Sequence, residues 1–585
     1  MSSGNFDYVI IGGGTAGLVL AARLIEDPTI TVCVLEAGEE VTKELDCVVP
    51  GFGFKNIGQP KIDWGFVTSP QMNANGRSLY LPRGKALGGS SMINLMCLGR
   101  GHEAEYNAFE TLGSPGWSWK GLFEYFRASE RFTSNPEEMS TLQVKFNSTT
   151  HGTSGPLQRT LPKWICDVQA PFIQGMESLG IPFNSDSNSG NNVGMWSSSH
   201  AIDSQGARVS STSAYYEPNK SNLNLTVITG AQATRILFSP SRDVSGNLVA
   251  SGVEYHKGGQ LDKVSANEVL LCAGTFQTPQ LLELSGIGDK TLLEALGIDV
   301  NVDLPGVGTN LQDHFWCPFV LETDPKYESL EILNNPVRAA KEWKVYEESK
   351  TGMLSVSAPT FYSFLPRHYF VEDGYNIPEQ MHSSLVGPLE RIQKQWFAAE
   401  DVPFLEFVPF PGFLPIPGHK AEEGKNYCSF FLGLTHPFSS GTVHIISSDP
   451  LASPAIDPCV LNNKVDVEIL LRAIKFARQL ATTQSLNTVL TREVLPGTAV
   501  ETDDEIRDFI RTTVNTAHHP LGTAAMLPRE DGGVVDPSLK VYGTFNIRVI
   551  DASIIPIHLS AHIQATVYAI AEKASDIIKR DRRVY

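Results

Sequence analysis

Three histidines and one glycine-rich turn are the residues of this chain whose type and setting can do chemistry. His518 and His519 precede Pro520-Leu521-Gly522-Thr523, and His562 lies in Ser560-Ala561-His562-Ile563-Gln564-Ala565-Thr566. An imidazole, with a pKa of about 6.5, can take a proton from a substrate near neutral pH. A histidine taken alone is more often structural, so the weight of these three depends on their surroundings. At the other end of the chain, Gly12-Gly13-Gly14-Thr15-Ala16-Gly17 joins the apolar run Phe6 to Ile11 to the helix-like LVLAARLIED. Strand, glycine turn and helix in this order suit a dinucleotide phosphate: Gly12 permits the tight turn, Gly14 lets the backbone approach the pyrophosphate, and Gly17 lets helix and strand pack closely. The helix start offers free N–H groups and a positive dipole.

A second apolar run, Thr31 to Leu35, ends at Glu36, 19 positions after Gly17. A carboxylate there can accept hydrogen bonds from both ribose hydroxyls and disfavours a 2′-phosphate. Gly12, Gly14, Thr15, Ala16, Gly17, Glu36 and Ala37 are thus candidate cofactor contacts, and at this point NAD and FAD are equally good cofactors. Two further segments belong near that fold. Pro82-Arg83-Gly84-Lys85-Ala86-Leu87-Gly88-Gly89-Ser90-Ser91-Met92-Ile93-Asn94 puts basic residues, glycines and hydroxyls in one loop, suited to an anionic cofactor or equally to a solvated turn. Gly274 to Gly288 follows the apolar strand EVLLCA and reads as a helix ended by glycine.

The chain has 585 residues, too many for one ordinary core, so two lobes with a cleft between them are expected. A hydrophobic share of 42% and a charged share of 19% are those of a globular protein, and no apolar run approaches the roughly 18 to 20 residues that span a bilayer. A net charge of −18 argues against nucleic acid and anionic membranes as partners. Eight cysteines without a CxxC pair argue against structural zinc or an iron–sulfur cluster, and no metal is expected; one isolated disulfide stays open. The first predicted strand follows Met1 too closely for a signal peptide, so the chain reads as cytoplasmic or as the mature form of a secreted protein. Sequons at Asn147, Asn219 and Asn224 matter only in the second case. Segment 350–440 is rich in Pro and aromatics, with Phe404, Phe407, Phe410 and Phe413 expected mostly in the core or packing a sheet and some of them walling the pocket.

RGKALGGSSMIN and GTFQTPQLLELSGIG resemble the two signature segments of the glucose-methanol-choline (GMC) flavoprotein oxidoreductases. DWGF from Asp63, LPGVGTNLQDH ending at His314, GTVHIISSDP from Gly441 and HPLGTAAM from His519 extend the likeness from end to end, nearest to fungal aryl-alcohol and hydroxymethylfurfural oxidases. The resemblance implies FAD and an α/β plus α+β fold: a Rossmann-like FAD-binding domain, and a substrate domain containing an antiparallel sheet. Residues 1–320 are then mainly FAD domain with substrate-domain pieces near 60–80 and 150–200, 321–515 mainly substrate domain, and 516–585 a return to the FAD domain.

The same resemblance makes His519 the base that takes the hydroxyl proton of an alcohol, with His562 hydrogen-bonding the substrate oxygen beside flavin N5. His518 is then a substrate contact or structural. Ser90, Asn94 and Cys97 match positions near the flavin, Ala233 the clamp on adenine, and Asp551, Ala552, Ile563 and Gln564 contacts from the C-terminal segment. Ile93 stands where some members carry a flavin-linking histidine, so FAD is expected to be non-covalent; Leu95 stands where aryl-alcohol oxidases have a pocket tyrosine. The expected function is oxidation of an aryl, allylic or other primary or secondary alcohol to an aldehyde or ketone, electrons passing to oxygen or another acceptor. A non-redox cyclisation or lyase reaction of secondary metabolism on the same scaffold is the alternative.

Overall fold

The computed structural model describes residues 5–584 except 43, 358, 372–386, 415 and 417. The first apolar run is β1 (Asn5–Ile11), the glycine turn leads into α1 (Thr15–Leu24), and the second run is β2 (Val32–Leu35). Tyr8 to Ile11 are all buried. A strand segment covered on both faces has no reason to alternate, and Tyr8 to Ile11 are accordingly a continuous apolar block.

β1 pairs in parallel with β2, Tyr8 opposite Val32, and with the second half of Gln260–Leu271, Asn5 opposite Ser265. Leu225–Ile228 extends the parallel set beyond β2, and Ile547–Val549 pairs in parallel with Gln260–Leu271. The 12 residues of Gln260–Leu271 are enough to serve a second partner, and its first half runs antiparallel to Ala250–Lys257, which pairs with Gln232–Phe238. Among the described residues the sheet thus holds seven strands. The run LTVITGAQATRILF, which contains Ala233 and is strand-like throughout in sequence, forms two strands at opposite edges of this sheet. Gly230, with φ of +63°, turns the chain between them.

The C-terminal helix Gln564–Val584 closes one face against α1. Arg23 reaches both oxygens of Glu572 at 2.8 and 2.9 Å, and Tyr215 Oη donates to the same carboxylate at 2.9 Å.

A second seven-stranded sheet is antiparallel throughout, in the order Leu490–Leu495, Phe315–Thr323, Tyr427–Leu434, Leu405–Phe410, Phe361–Leu365, Gly194–Ser197, with Asn515–Thr516 also against Phe315–Thr323. Successive side chains on a strand face opposite ways. One face therefore sends Phe407 and Phe430 into the core, where they pack around Phe172. The other face carries Tyr362, Glu406, Val408, Phe410 and Phe431 toward a cavity. Of the four phenylalanines expected mostly in the core, Phe404 and Phe407 are fully buried there, whereas Phe410 is a cavity wall.

Among the described residues no helix is long and apolar enough to cross a membrane, and all eight cysteines are free thiols.

Candidate functional site

One cavity of about 810 Å³ runs from the glycine turn to the histidines. Gly12, Gly14, Thr15, Ala16, Glu36, Ala37, Ser90, Asn94, Cys97, Ala233, Asp551, Ala552, Ile563, Gln564, His519 and His562 all line it. Gly17 does not. A Cβ there would stand 2.0 Å from the Gly12 carbonyl oxygen, so Gly17 acts by letting α1 approach β1, as its place in the turn predicts.

At the turn, Gly12 has φ of +102°, and a Cβ would meet the Cys272 carbonyl oxygen at 2.4 Å. Gly14 caps α1 without any side-chain hydrogen bond, so the N–H groups of the first helical turn are free for an anion. Glu36, 6% exposed, accepts hydrogen bonds from the N–H groups of Gly13 (2.9 Å) and Gly38 (2.8 Å). Burial pushes its carboxyl up to about 7 against the pull of those donors. Each oxygen keeps a lone pair for a ribose hydroxyl. Further along, Asn94 Nδ2 donates to Gln564 Oε1 at 2.7 Å, and Gln564 Nε2 is buried without a hydrogen-bond partner. A free helix start, a tight glycine turn, a ribose carboxylate and an orphaned amide along one channel fit FAD.

Asp551 reaches the wall but has nothing left to give a cofactor through its side chain. Its oxygens accept from Gly274 N (2.9 Å), Thr278 Oγ1 (2.6 Å), Ser553 N (2.8 Å) and Ser553 Oγ (2.5 Å). The carboxylate instead anchors the start of helix Gly274–Leu284.

At the far end, the turn Thr516 to His519 is braced from both sides. Asp313 accepts from His519 N at 2.8 Å and from the Thr516 hydroxyl, which in turn accepts from His518 N at 2.9 Å. Arg83 donates to the His518 carbonyl at 2.6 Å. These bonds hold His518 at φ of +65°, a conformation costing a non-glycine residue of order 1–3 kcal/mol. Burial pushes Asp313 up to about 6, and burial with the nearby Arg83 pushes His518 down to about 3.

Hydrogen bonds then decide the tautomer of His519. His314 Nε2 faces two carbonyl oxygens, of Leu559 at 2.9 Å and Thr435 at 3.1 Å. Carbonyls only accept, so this nitrogen carries the proton. Burial, with the other imidazoles around it, holds His314 well below 6.5 and hence neutral, which leaves Nδ1 as an acceptor. His519 Nδ1 lies 3.0 Å from it and must donate. His519 Nε2 is therefore left as an unprotonated lone pair. Burial and the neighbouring histidines likewise push His519 well below 6.5.

His562, whose ring centroid is 4.9 Å from that of His519, goes the other way. Burial alone lowers it, but the Glu406 carboxylate, 3.0 Å from Nε2, and Cys97 outweigh this and raise it well above 6.5. A neutral imidazole and a protonated one thus face each other across the cavity, a division of base from acid. His314, Glu406 and Tyr362 are not singled out by sequence, nor is His558, whose ring lies tilted against that of His314 with centroids 3.7 Å apart and which donates to the His519 carbonyl. His314 had a signal, since it ends LPGVGTNLQDH; Glu406 and Tyr362 reach the site through sheet register and had none.

A family model described as GMC oxidoreductase matches residues 6–316 in its N-terminal part and 437–571 in its C-terminal part. The GMC oxidoreductase family protein Mala s 12 of Malassezia sympodialis is 36% identical across 98% of this chain and 92% of its own length. An alcohol dehydrogenase [acceptor] of Pseudomonas putida is 34% identical across 98% and 96%. Among solved structures, an FAD-dependent oxidoreductase from Chaetomium thermophilum superposes with a TM-score of 0.90 at 30% identity, covering 99% of this chain and 100% of that one. A fungal aryl-alcohol oxidase superposes at 0.87 with 27% identity, covering both chains fully.

Proposed function

The chain belongs to the GMC oxidoreductase family of FAD-dependent enzymes, and on that premise we propose that it oxidises an alcohol to an aldehyde or ketone. FAD, when bound, supplies the hydride acceptor. The protein supplies the proton chemistry. His519 Nε2 takes the hydroxyl proton, and the His562 imidazolium donates to the same oxygen and stabilises its developing negative charge. The observation that carries the reading is the 3.0 Å contact between His314 Nδ1 and His519 Nδ1, which leaves His519 Nε2 free to act as a base.

The substrate end of the cavity is walled by Leu95, Trp316, Val408, Phe410 and Phe431, which favours an apolar alcohol, aryl or allylic, over a sugar. Ile93 also lines the cavity, and its aliphatic side chain can form no link to a flavin, so FAD is held non-covalently and leaves when the protein is acid-precipitated.

An anaerobic screen of benzyl and allylic alcohols, followed by flavin absorbance with oxygen admitted afterwards, tests the activity. His519→Gln, checked for retained FAD, is expected to slow anaerobic reduction by about 10²–10⁴-fold. Full retention of the rate would remove His519 as the base; bleaching by none of the alcohols would remove the activity.

A further inference from the structure

Behind the cavity wall lies a buried cation that no carboxylate neutralises. Arg208 is 6% exposed. Its Nε donates to the Cys47 carbonyl at 2.8 Å, and its Nη1 to the carbonyl of Ser91 at 3.2 Å, the carbonyl of Asn94 at 2.7 Å and Asn94 Oδ1 at 2.9 Å. Nη2 is buried without a hydrogen-bond partner. Other buried arginines are paired: Arg100 and Arg159 share Glu130, and Arg548 reaches Glu268 and Asp581. Among the described residues no carboxylate meets Arg208, whose nearest ionisable neighbours are Cys47 and Tyr568. Burial pushes the guanidinium down to about 10, so it stays charged at neutral pH. A charge taken out of water is costly unless a counter-charge meets it.

Hydrogen bonds fix this cation against the cofactor channel. A guanidinium and a backbone N–H only donate, and both Arg208 Nη1 and Met96 N, at 3.0 Å, point at Asn94 Oδ1. Asn94 Nδ2 is thereby turned to Gln564 Oε1 at 2.7 Å. Asn94 and Gln564 both line the cavity, whereas Arg208 does not. Gln564 stands two residues after His562 and begins the helix Gln564–Val584, whose positive end opens on the same wall. The cation therefore sits one residue behind the wall at the histidine end of the cavity, away from the glycine turn. A hydride brings two electrons and one proton, so its arrival adds one negative charge to the flavin ring and none to the phosphates.

We propose that Arg208 supplies the counter-charge for the reduced flavin and so raises the reduction potential of bound FAD. Cys47, Ser91 and Asn94 hold the guanidinium in place before reduction, so nothing has to reorganise as the charge forms. Arg208 touches neither the cavity nor a reacting atom, and it acts across Asn94 as a positioning residue. The inference needs FAD but no particular substrate, and it goes beyond alcohol oxidation.

The test compares FAD-loaded wild type with Arg208→Met and Arg208→Lys, the two-electron potential being read by equilibration with reference dyes and the affinity for oxidised FAD by fluorescence. Arg208→Met is expected to weaken reduced FAD at least ten-fold relative to oxidised FAD, a fall of about 30 mV or more in potential, while oxidised FAD binds within three-fold of wild type. Arg208→Lys keeps the charge and should hold the ratio of the two affinities within three-fold of wild type. An unchanged potential in Arg208→Met overturns the proposal, whether FAD binds as before or both forms weaken equally. A lysine variant whose potential falls as far as that of the methionine variant overturns it too, since the charge would then not be what matters. If Arg208→Met does not retain FAD, wild type decides: its bound flavin is expected above free FAD in the same cell, and a potential at or below that of free FAD overturns the proposal. None of these readings uses an alcohol, so a failed alcohol screen with the potentials as expected overturns the alcohol reading and leaves the role of Arg208 standing.

Discussion

His519 and His562 are the same residue type in one cavity, and what separates them is their partners. His519 is surrounded by other imidazoles and by burial, and both disfavour a proton. His562 has a carboxylate against it. Burial lowers His562, but the Glu406 carboxylate, helped by Cys97, outweighs it and holds the imidazole above 6.5. A raised histidine pKa contributes stability that is complete below its unfolded value of about 6.5 and is lost as pH rises through the folded value. The catalytic counterpart is that activity needing the imidazolium falls on the alkaline side. Glu406→Gln is expected to bring that alkaline limb of the anaerobic reduction rate down by at least one pH unit, while the acidic limb, set by His519, stays below 6.5. An alkaline limb that does not move in Glu406→Gln would show that something else keeps His562 charged.

The glycine turn acts at the level of the element, and its members fail in different ways. A Cβ at Gly17 would meet the Gly12 carbonyl oxygen at 2.0 Å and Ile10 Cγ2 at 3.1 Å, so α1 must move off β1. Gly17→Ala is therefore expected to destabilise the FAD-free protein by about 1–3 kcal/mol, read as a lower urea midpoint. A Cβ at Gly14 meets only Gly89 Cα, at 3.7 Å, which is ordinary contact. Gly14→Ala should leave the FAD-free midpoint within about 0.5 kcal/mol of wild type but weaken FAD binding. Equal losses of stability in the two variants would contradict this division. At this scale much of the structure was legible beforehand, because strand, turn, helix and second strand are contiguous and their sterics are local. The break of LTVITGAQATRILF into two strands at opposite sheet edges was not, since it depends on which distant strands are free to pair.

Across the whole molecule, one buried ionic cluster ties the loop carrying Cys97 to the strands beneath it. Glu130 accepts from Arg100 at 2.9 Å and from His151 at 3.0 Å, and it also pairs with Arg159, which in turn donates to the Leu98 carbonyl at 2.8 Å. Both arginine side chains are fully buried. Burial opposes the charge of Glu130, but Arg159 and Arg100 hold its carboxyl far below the usual carboxylate range. Glu130→Gln leaves two buried guanidiniums without that anion, and a loss of about 3–5 kcal/mol is expected in urea unfolding. A loss under about 1 kcal/mol would mean that solvent or another carboxylate replaces it.

By itself the sequence pointed to the dinucleotide end of the cavity, through its family resemblance to FAD, and to His519 and His562 as candidate catalytic residues. Each depends on residue types at short, local spacing or on contiguous motifs. The tertiary structure alone decided their chemical states. His314 sets which nitrogen of His519 is free, and Glu406 sets the charge on His562. These partners come from strands and loops far apart in the chain, brought together by the register of the antiparallel sheet. Protonation follows from burial and neighbouring charge, and neither is a property of local sequence.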